Sequence, residues 1–215
     1  MQHVRRPVNR SRIRFRIAFA ALGGVAASAL LAVAMSPALA AFTASIANSA
    51  NGAGSGTISL QETSGSAVCN STDGGSISVN SATCTSINKY GGDMTMVPGQ
   101  SVATSVTLTN TGTSPVSVFT LTPGACTQSA NGTVNGSATD FCSKLQLAVV
   151  SGTTTLFSGT AEQFAARSSS PVALTVPLAA GASQTYTFTV TLDSAAGNTY
   201  QGLKAAQSMT WTASS

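Results

Sequence analysis

Large apolar side chains and threonines alternate along much of this chain with a period of two. QTYTFTVTLD (184–193) puts Tyr186, Phe188, Val190 and Leu192 on one face and four threonines on the other. SVATSVTLTN (101–110) repeats the pattern with Val102, Val106 and Leu108, and AAQSMTWTA (205–213) with Met209 and Trp211. TISLQ (57–61), SISVN (76–80), VSVFTLT (116–122), LQLAVV (145–150), TTTLF (153–157) and PVALTVPL (171–178) read as further strands. Successive strand residues point to opposite faces, so this alternation describes antiparallel sheet with one dry and one wet face. Turn signals separate the runs: Pro98-Gly99, Asn110-Thr111-Gly112, Pro123-Gly124, Gly152 and Gly181. Short strands at this spacing predict an all-β fold, a jelly-roll-like antiparallel sandwich of two sheets. Helix is scarce. Thr160-Ala161-Glu162-Gln163 fits a capping box. It predicts one short helix over TAEQFAAR, with Phe164 turned to the sandwich as a lid. Asp140 to Leu145 predicts a second helical turn.

The first forty residues have a different pattern. Six arginines lie before residue 17, an uncharged run IAFAALGGVAASALLAVAM covers 17–35, and Ala38-Leu39-Ala40 follows Pro37. A basic start, an apolar middle and an A-x-A end predict a secretory signal peptide over 1–40, cut between Ala40 and Ala41. The alternative is an uncleaved anchor, for which an Ala/Gly-rich run is poorly suited. Contact with a membrane is therefore expected only through an uncleaved signal peptide. Residues 41–56, AFTASIANSANGAGSG, predict a short strand carrying Phe42 and Ile46, then a flexible linker of small residues. The sandwich domain is expected over 57–215.

Removing the signal changes the charge. The whole chain is +4, but residues 41–215 keep four basic against six acidic side chains, a net charge of −2. That excludes a nucleic-acid partner of the usual kind, which needs clustered lysine and arginine. Ten charges in these residues is a fraction far below the roughly 25% of ordinary soluble domains. The surface must then be mostly Ser, Thr, Asn, Gln and Gly. The four cysteines, Cys69, Cys84, Cys126 and Cys142, all lie in the exported part. An even count outside the cell predicts two disulfides. Three pairings are possible; 69–84 and 126–142 are favoured because each closes one short connection.

The chemistry for catalysis is thin. His3 is the only histidine and leaves with the signal, so a Ser-His-Asp triad and the histidine-bearing metal sites have no base or ligand. No catalytic residue, metal site or cofactor is predicted. Asp73 and Asp93 sit beside glycines in turn contexts and lack the spacing of a calcium loop. Asn70, Asn131 and Asn135 match the glycosylation triplet but read as loop residues. Trp211 is expected in the core rather than on a sugar-stacking surface. Lys89, Lys144 or Lys204 joined to an asparagine in an isopeptide bond is a remaining covalent option.

Three stretches carry a family resemblance: the A-x-A signal followed by Ala41-Phe42-Thr43, MVPGQSVATSVTLTNTGTSPVSV (96–118) and NTYQGLKAAQSMTWTA (198–213). The first resembles substrates of the SipW-type signal peptidase. The other two resemble the TasA/camelysin family, in which a Pro-Gly turn leads into paired strands and an N-x-Y-Q-G turn into the last one. The resemblance covers about a third of the chain. It implies a secreted jelly-roll protein of the extracellular matrix, as in biofilm fibres, or of the cell surface of a Gram-positive bacterium. It also implies subunits that polymerise by lending an N-terminal strand, here Phe42 and Ile46, to the next copy. The partner is then another copy or another matrix component. The metalloprotease activity attached to the camelysin branch is not expected without a histidine. Two other fates for residues 41–56 stay open: a strand tucked back into its own chain, and simple disorder. The alternative function is a monomeric adhesion or binding module with Tyr90 and Tyr200 as its aromatic platform. TWTASS carries no wall-sorting motif, so covalent wall attachment by that route is not expected.

Overall fold

The structure is a computed structural model and describes residues 44–215. The signal peptide expected over 1–40, the cleavage residues Ala38, Ala40 and Ala41 expected with it, and Phe42 lie outside the described residues. Residues 44–52 belong to one unit and Ala53–Ser215 form another, which holds the whole fold below.

The fold is an all-β sandwich of two antiparallel sheets. The strands are β1 (Leu60–Ser64), β2 (Ala67–Asn70), β3 (Ser101–Asn110), β4 (Val118–Ala130), β5 (Leu145–Ser151), β6 (Thr154–Thr160), β7 (Val172–Ala173), β8 (Ser183–Leu192) and β9 (Leu203–Ser214). Two short helices, α1 (Phe141–Lys144) and α2 (Ala161–Ala165), flank β5 and β6. One sheet has the order β2-β1-β3-β8-β5-β6 and the other β7-β4-β9. From β3 onward every connection except β5–β6 changes sheets, the habit of jelly-roll-like sandwiches.

The alternating runs supply the core. Tyr186, Phe188 and Val190 of β8 face Phe119 and Leu121 of β4 across the sandwich, and all are buried. The threonines of β8 stand on the outer face and bond hydroxyls of β3: Thr107 to Thr185 at 2.9 Å, Ser101 to Thr191 at 2.7 Å. The capping box forms as its sequence requires. Thr160 Oγ1 accepts from Gln163 N, and Gln163 Oε1 accepts from Thr160 N. This starts α2 and drives Phe164 fully into the core, against Phe157 at a centroid distance of 4.7 Å. Both disulfides have the favoured pairing, Cys69–Cys84 and Cys126–Cys142.

Several strand assignments need correction. SISVN (76–80) is a turn, with Ile77 and Val79 exposed. Val79 N and Asn80 N both bond Ser76 O, and Asn80, at φ 44°, donates through Nδ2 to Ile58 O. These local bonds satisfy the backbone without a sheet partner. The first strand starts at Leu60, because Thr57 is held by Thr113 and Ser114 instead. PVALTVPL is a strand only at Val172–Ala173; Leu174 and Leu178 are buried, and a single bridge joins Leu178 to Val116. The second strand of the chain, β2, escaped the alternation reading. The strand expected over 41–46 is not found in its described part: residues 44–46 are in no strand, and Ile46 is 93% exposed.

Candidate functional site

Strand β9 is long, and only one of its edges is paired. It pairs with β4 from Leu203 to Ser214, with a bulge where Pro123 interrupts the ladder. The chain ends its sheet at this strand. Other sheet edges are short: β2 has four residues, β7 two and β6 seven, against twelve for β9. A long edge of unpaired N–H and C=O groups is a template for another strand. At a rise of ~3.4 Å per residue, β9 offers about 40 Å of it.

The inner face of β9 is also incompletely covered. Ala205, Gln207, Met209, Trp211 and Ala213 alternate inward, yet each is only half-buried. The equivalent positions of β8, Tyr186 to Leu192, are all buried. The reason is a cavity of about 1170 Å³ beside β9, with Leu60 and Leu108 on its floor, Met209 and Trp211 on its wall, and Ile87 and Met96 opposite. Small-ligand clefts span roughly 300–1,000 Å³. This one exceeds that range and is lined by β9 along residues 203–213, a shape suited to an extended chain.

The irregular segment Ser81–Val97 crosses the groove, against the inward-facing Gln207 and Trp211 of β9, Glu62 of β1 and Val102 of β3. Its small polar residues carry no alternating apolar face, and Gly91 and Gly92 have φ values of 79° and 75° that break an extended path. A side chain at Gly91 would collide with Val102. The segment is fixed at one end by Cys69–Cys84 and at the other by Gly99 N bonded to Leu192 O. Just before that end, Asp93 takes hydrogen bonds from Thr95 N and Oγ1 and from Gln100 Nε2. These bonds, those from Thr95 first, hold its carboxyl below the usual range. Ile87 is buried under it. Among the described residues no backbone hydrogen bond joins it to β9. Contact with β9 runs through side chains: Tyr90 Oη donates to Gln207 Oε1, and Lys89 Nζ lies 5.6 Å from the ring centre of Trp211. Burial raises the Tyr90 hydroxyl above its ordinary value.

Lys89 also meets Glu62 of β1, Nζ to Oε1 at 2.5 Å, with the two side chains only 10% and 9% exposed. These are two of the ten charges in residues 41–215, facing each other inside the groove. The strand expected over 57–61 stops one residue short of Glu62, whose signal is its phase with Ile58 and Leu60. Gln207 has the same signal, in phase with Met209 and Trp211.

The other candidates fall elsewhere. Trp211 packs against Tyr186, Phe119 and Phe188 at centroid distances of 5.2 to 6.1 Å, as a core residue with one side on the groove. Tyr90 and Tyr200 do not form an exposed platform. Both are half-buried, and Tyr200 Oη donates to Asp140 Oδ1 at 2.8 Å while Lys144 covers its ring. Asp73 serves its own turn, accepting from Asn70 N at 2.7 Å. Asn131 Nδ2 donates to Met94 O, a loop role. Lys89 faces the Glu62 carboxylate, the type of group expected beside an isopeptide bond as its catalyst. Among the described residues no three His, Cys, Asp or Glu side chains gather as a metal site, and no helix is long and apolar enough to cross a membrane. No family model matches the sequence, and no curated protein matches it significantly.

Proposed function

We propose that the mature chain is a secreted, non-catalytic structural subunit of an extracellular matrix or cell surface. Copies join when the N-terminal segment of one, carrying Phe42 and Ile46, pairs with the open edge of β9 in the next. The observation that carries this reading is the combination of β9's unpaired twelve-residue edge with the large cavity of mixed polar and apolar lining beside it. A strand laid there extends the smaller sheet and covers the half-buried face of β9, the mode of β-augmentation. The occupant is supplied by the chain itself. Residues 44–46 are in no strand and Ile46 is 93% exposed. The ten residues 47–56 reach up to about 33 Å when extended, enough to span to a neighbour. Burying Phe42 and Ile46 contributes roughly 3–6 kcal/mol before backbone bonds are counted. The two disulfides and the signal-like N-terminus fit an oxidising, extracellular setting, and the resemblance to the TasA/camelysin family points the same way.

The test compares oxidised residues 41–215 with residues 57–215 and with Phe42→Asp/Ile46→Asp, by size-exclusion chromatography and negative-stain microscopy. Filaments from the first alone, with equal melting temperatures for all three, are expected. Monomers from all three across concentration and pH refute strand donation and leave the monomeric binding module in its place.

A further inference from the structure

We propose that the segment Ser81–Val97 is a displaceable strap, which covers the edge of β9 in the free subunit and yields its place to the incoming strand. This rests on the strand-addition reading above and concerns how the same edge is kept closed.

The strap lies across the groove beside β9 without doing a strand's work. It makes no backbone bond to β9 among the described residues, and it leaves about 1170 Å³ unfilled beneath it. Its hold on the groove includes the Lys89–Glu62 pair, Lys89 over the Trp211 ring, the Tyr90–Gln207 and Asp93–Gln100 hydrogen bonds, the Asn131 Nδ2 bond to Met94 O, the close packing of Gly91 on Val102 and the burial of Ile87, Tyr90 and Met96. A donated strand replaces these with a ladder along β9 and fills the space. The exchange therefore trades side-chain contacts for a continuous set of backbone bonds. Both ends of the strap stay attached during the exchange, at Cys84 through its disulfide and at Gly99 through Leu192. The fourteen residues between have Gly91 and Gly92 in their middle and can swing as one loop once these contacts break.

The buried charges fit this role. An inward-pointing charge is a device that keeps a sheet edge from pairing indiscriminately. Lys89 is supplied by the strap and Glu62 by the groove floor, so the pair closes the groove only while the strap lies in it. The mature chain has few other charges to guard its edges. The strap thus keeps an aggregation-prone edge covered and makes assembly wait for a strand that competes successfully.

Hydrogen exchange read by mass spectrometry on the mature chain, before and after assembly, tests this. The expected result is that peptides covering 203–214 gain protection in filaments while peptides covering 85–97 lose it. Gain over 203–214 with unchanged or increased protection over 85–97 overturns the strap and leaves strand addition standing. No gain over 203–214, or no filaments at all, overturns both. A second arm uses Lys89→Met, which leaves the Glu62 carboxylate buried without its partner while the strap lies closed and so favours the open strap. It is expected to shorten the assembly lag at least about tenfold. An unchanged or longer lag in a variant with native hydrogen exchange outside the strap overturns the proposal. If that variant does not fold, the exchange arm on the unaltered protein decides.

Discussion

Replacing Lys89 alone should damage the fold far more than replacing Lys89 and Glu62 together. The two charged groups stand 2.5 Å apart, with side chains 10% and 9% exposed. At an effective dielectric constant of about 20, their attraction is roughly 7 kcal/mol. Desolvation of two buried ions costs several kcal/mol each and offsets most of it. The intact pair is therefore close to neutral against an uncharged pair of similar volume, whereas one orphaned charge costs about 3–5 kcal/mol. Lys89→Met strands the Glu62 carboxylate beneath Trp211 and should lower stability by that amount. For a chain of this size each kcal/mol corresponds to about 2–4 °C in melting temperature, so the loss is about 6–20 °C. Lys89→Met/Glu62→Gln should stay within about 1.5 kcal/mol of the parent, giving a large positive coupling in the double-mutant cycle. Urea unfolding followed by the fluorescence of Trp211, the only tryptophan, reads the effect at the site itself. If Lys89→Met costs under about 1 kcal/mol and the cycle shows no coupling, the two charges are solvated and the groove is not closed by them.

Three further outcomes follow from the packing. Asn110 is fully buried, and its Nδ2 donates to Ser114 O and Leu178 O while its Oδ1 accepts from Gly112 N; Asn110→Ala should cost about 2–4 kcal/mol by orphaning these groups, checked by chemical denaturation. Cys126→Ser/Cys142→Ser opens a sixteen-residue loop and should cost about 3 kcal/mol, read as a fall in urea midpoint with unchanged slope. Burial pushes the Tyr186 hydroxyl up to about 12 and raises Tyr90 as well, from an ordinary value of 10.0. The folded state thus holds these protons more tightly than the unfolded chain. Stability from this source is complete below pH 10 and is lost as pH rises above it. In a Tyr200→Phe variant, which leaves Tyr90 and Tyr186 as the only tyrosines, phenolate absorbance should appear together with the loss of Trp211 fluorescence; ionisation of both near pH 10 in a chain that keeps its near-ultraviolet dichroism contradicts their burial.

Local rules carried much of the fold. Alternation of large apolar residues with polar or small ones located β3, β5 and β8 to within a residue, because the two-residue period is a property of the strand itself and needs no partner. The capping box at Thr160 and Gln163 and both cysteine pairs were legible for the same reason: each is settled by residues close in sequence. SISVN failed because its alternation competed with side-chain bonds from Ser76 and Asn80, and only the neighbourhood of Ile58 determined which won.

The site itself was beyond local rules. The alternation of β9 announced an inward face at Met209 and Trp211, and Glu62 and Gln207 lie in phase with apolar neighbours. It did not say that nothing would pair with the outer edge of β9, or that Lys89 would arrive from a segment 27 residues after Glu62 to meet it. Pairing depends on which strands end up adjacent, and that choice is made by the whole sandwich through contacts far apart in sequence. The sequence by itself thus determined β3, β5 and β8, the capping box, the cysteine pairing and the poverty of charge. Which edge stays open, and what lies across it, was decided only by the tertiary structure, because an unpaired edge is defined by the neighbour it lacks.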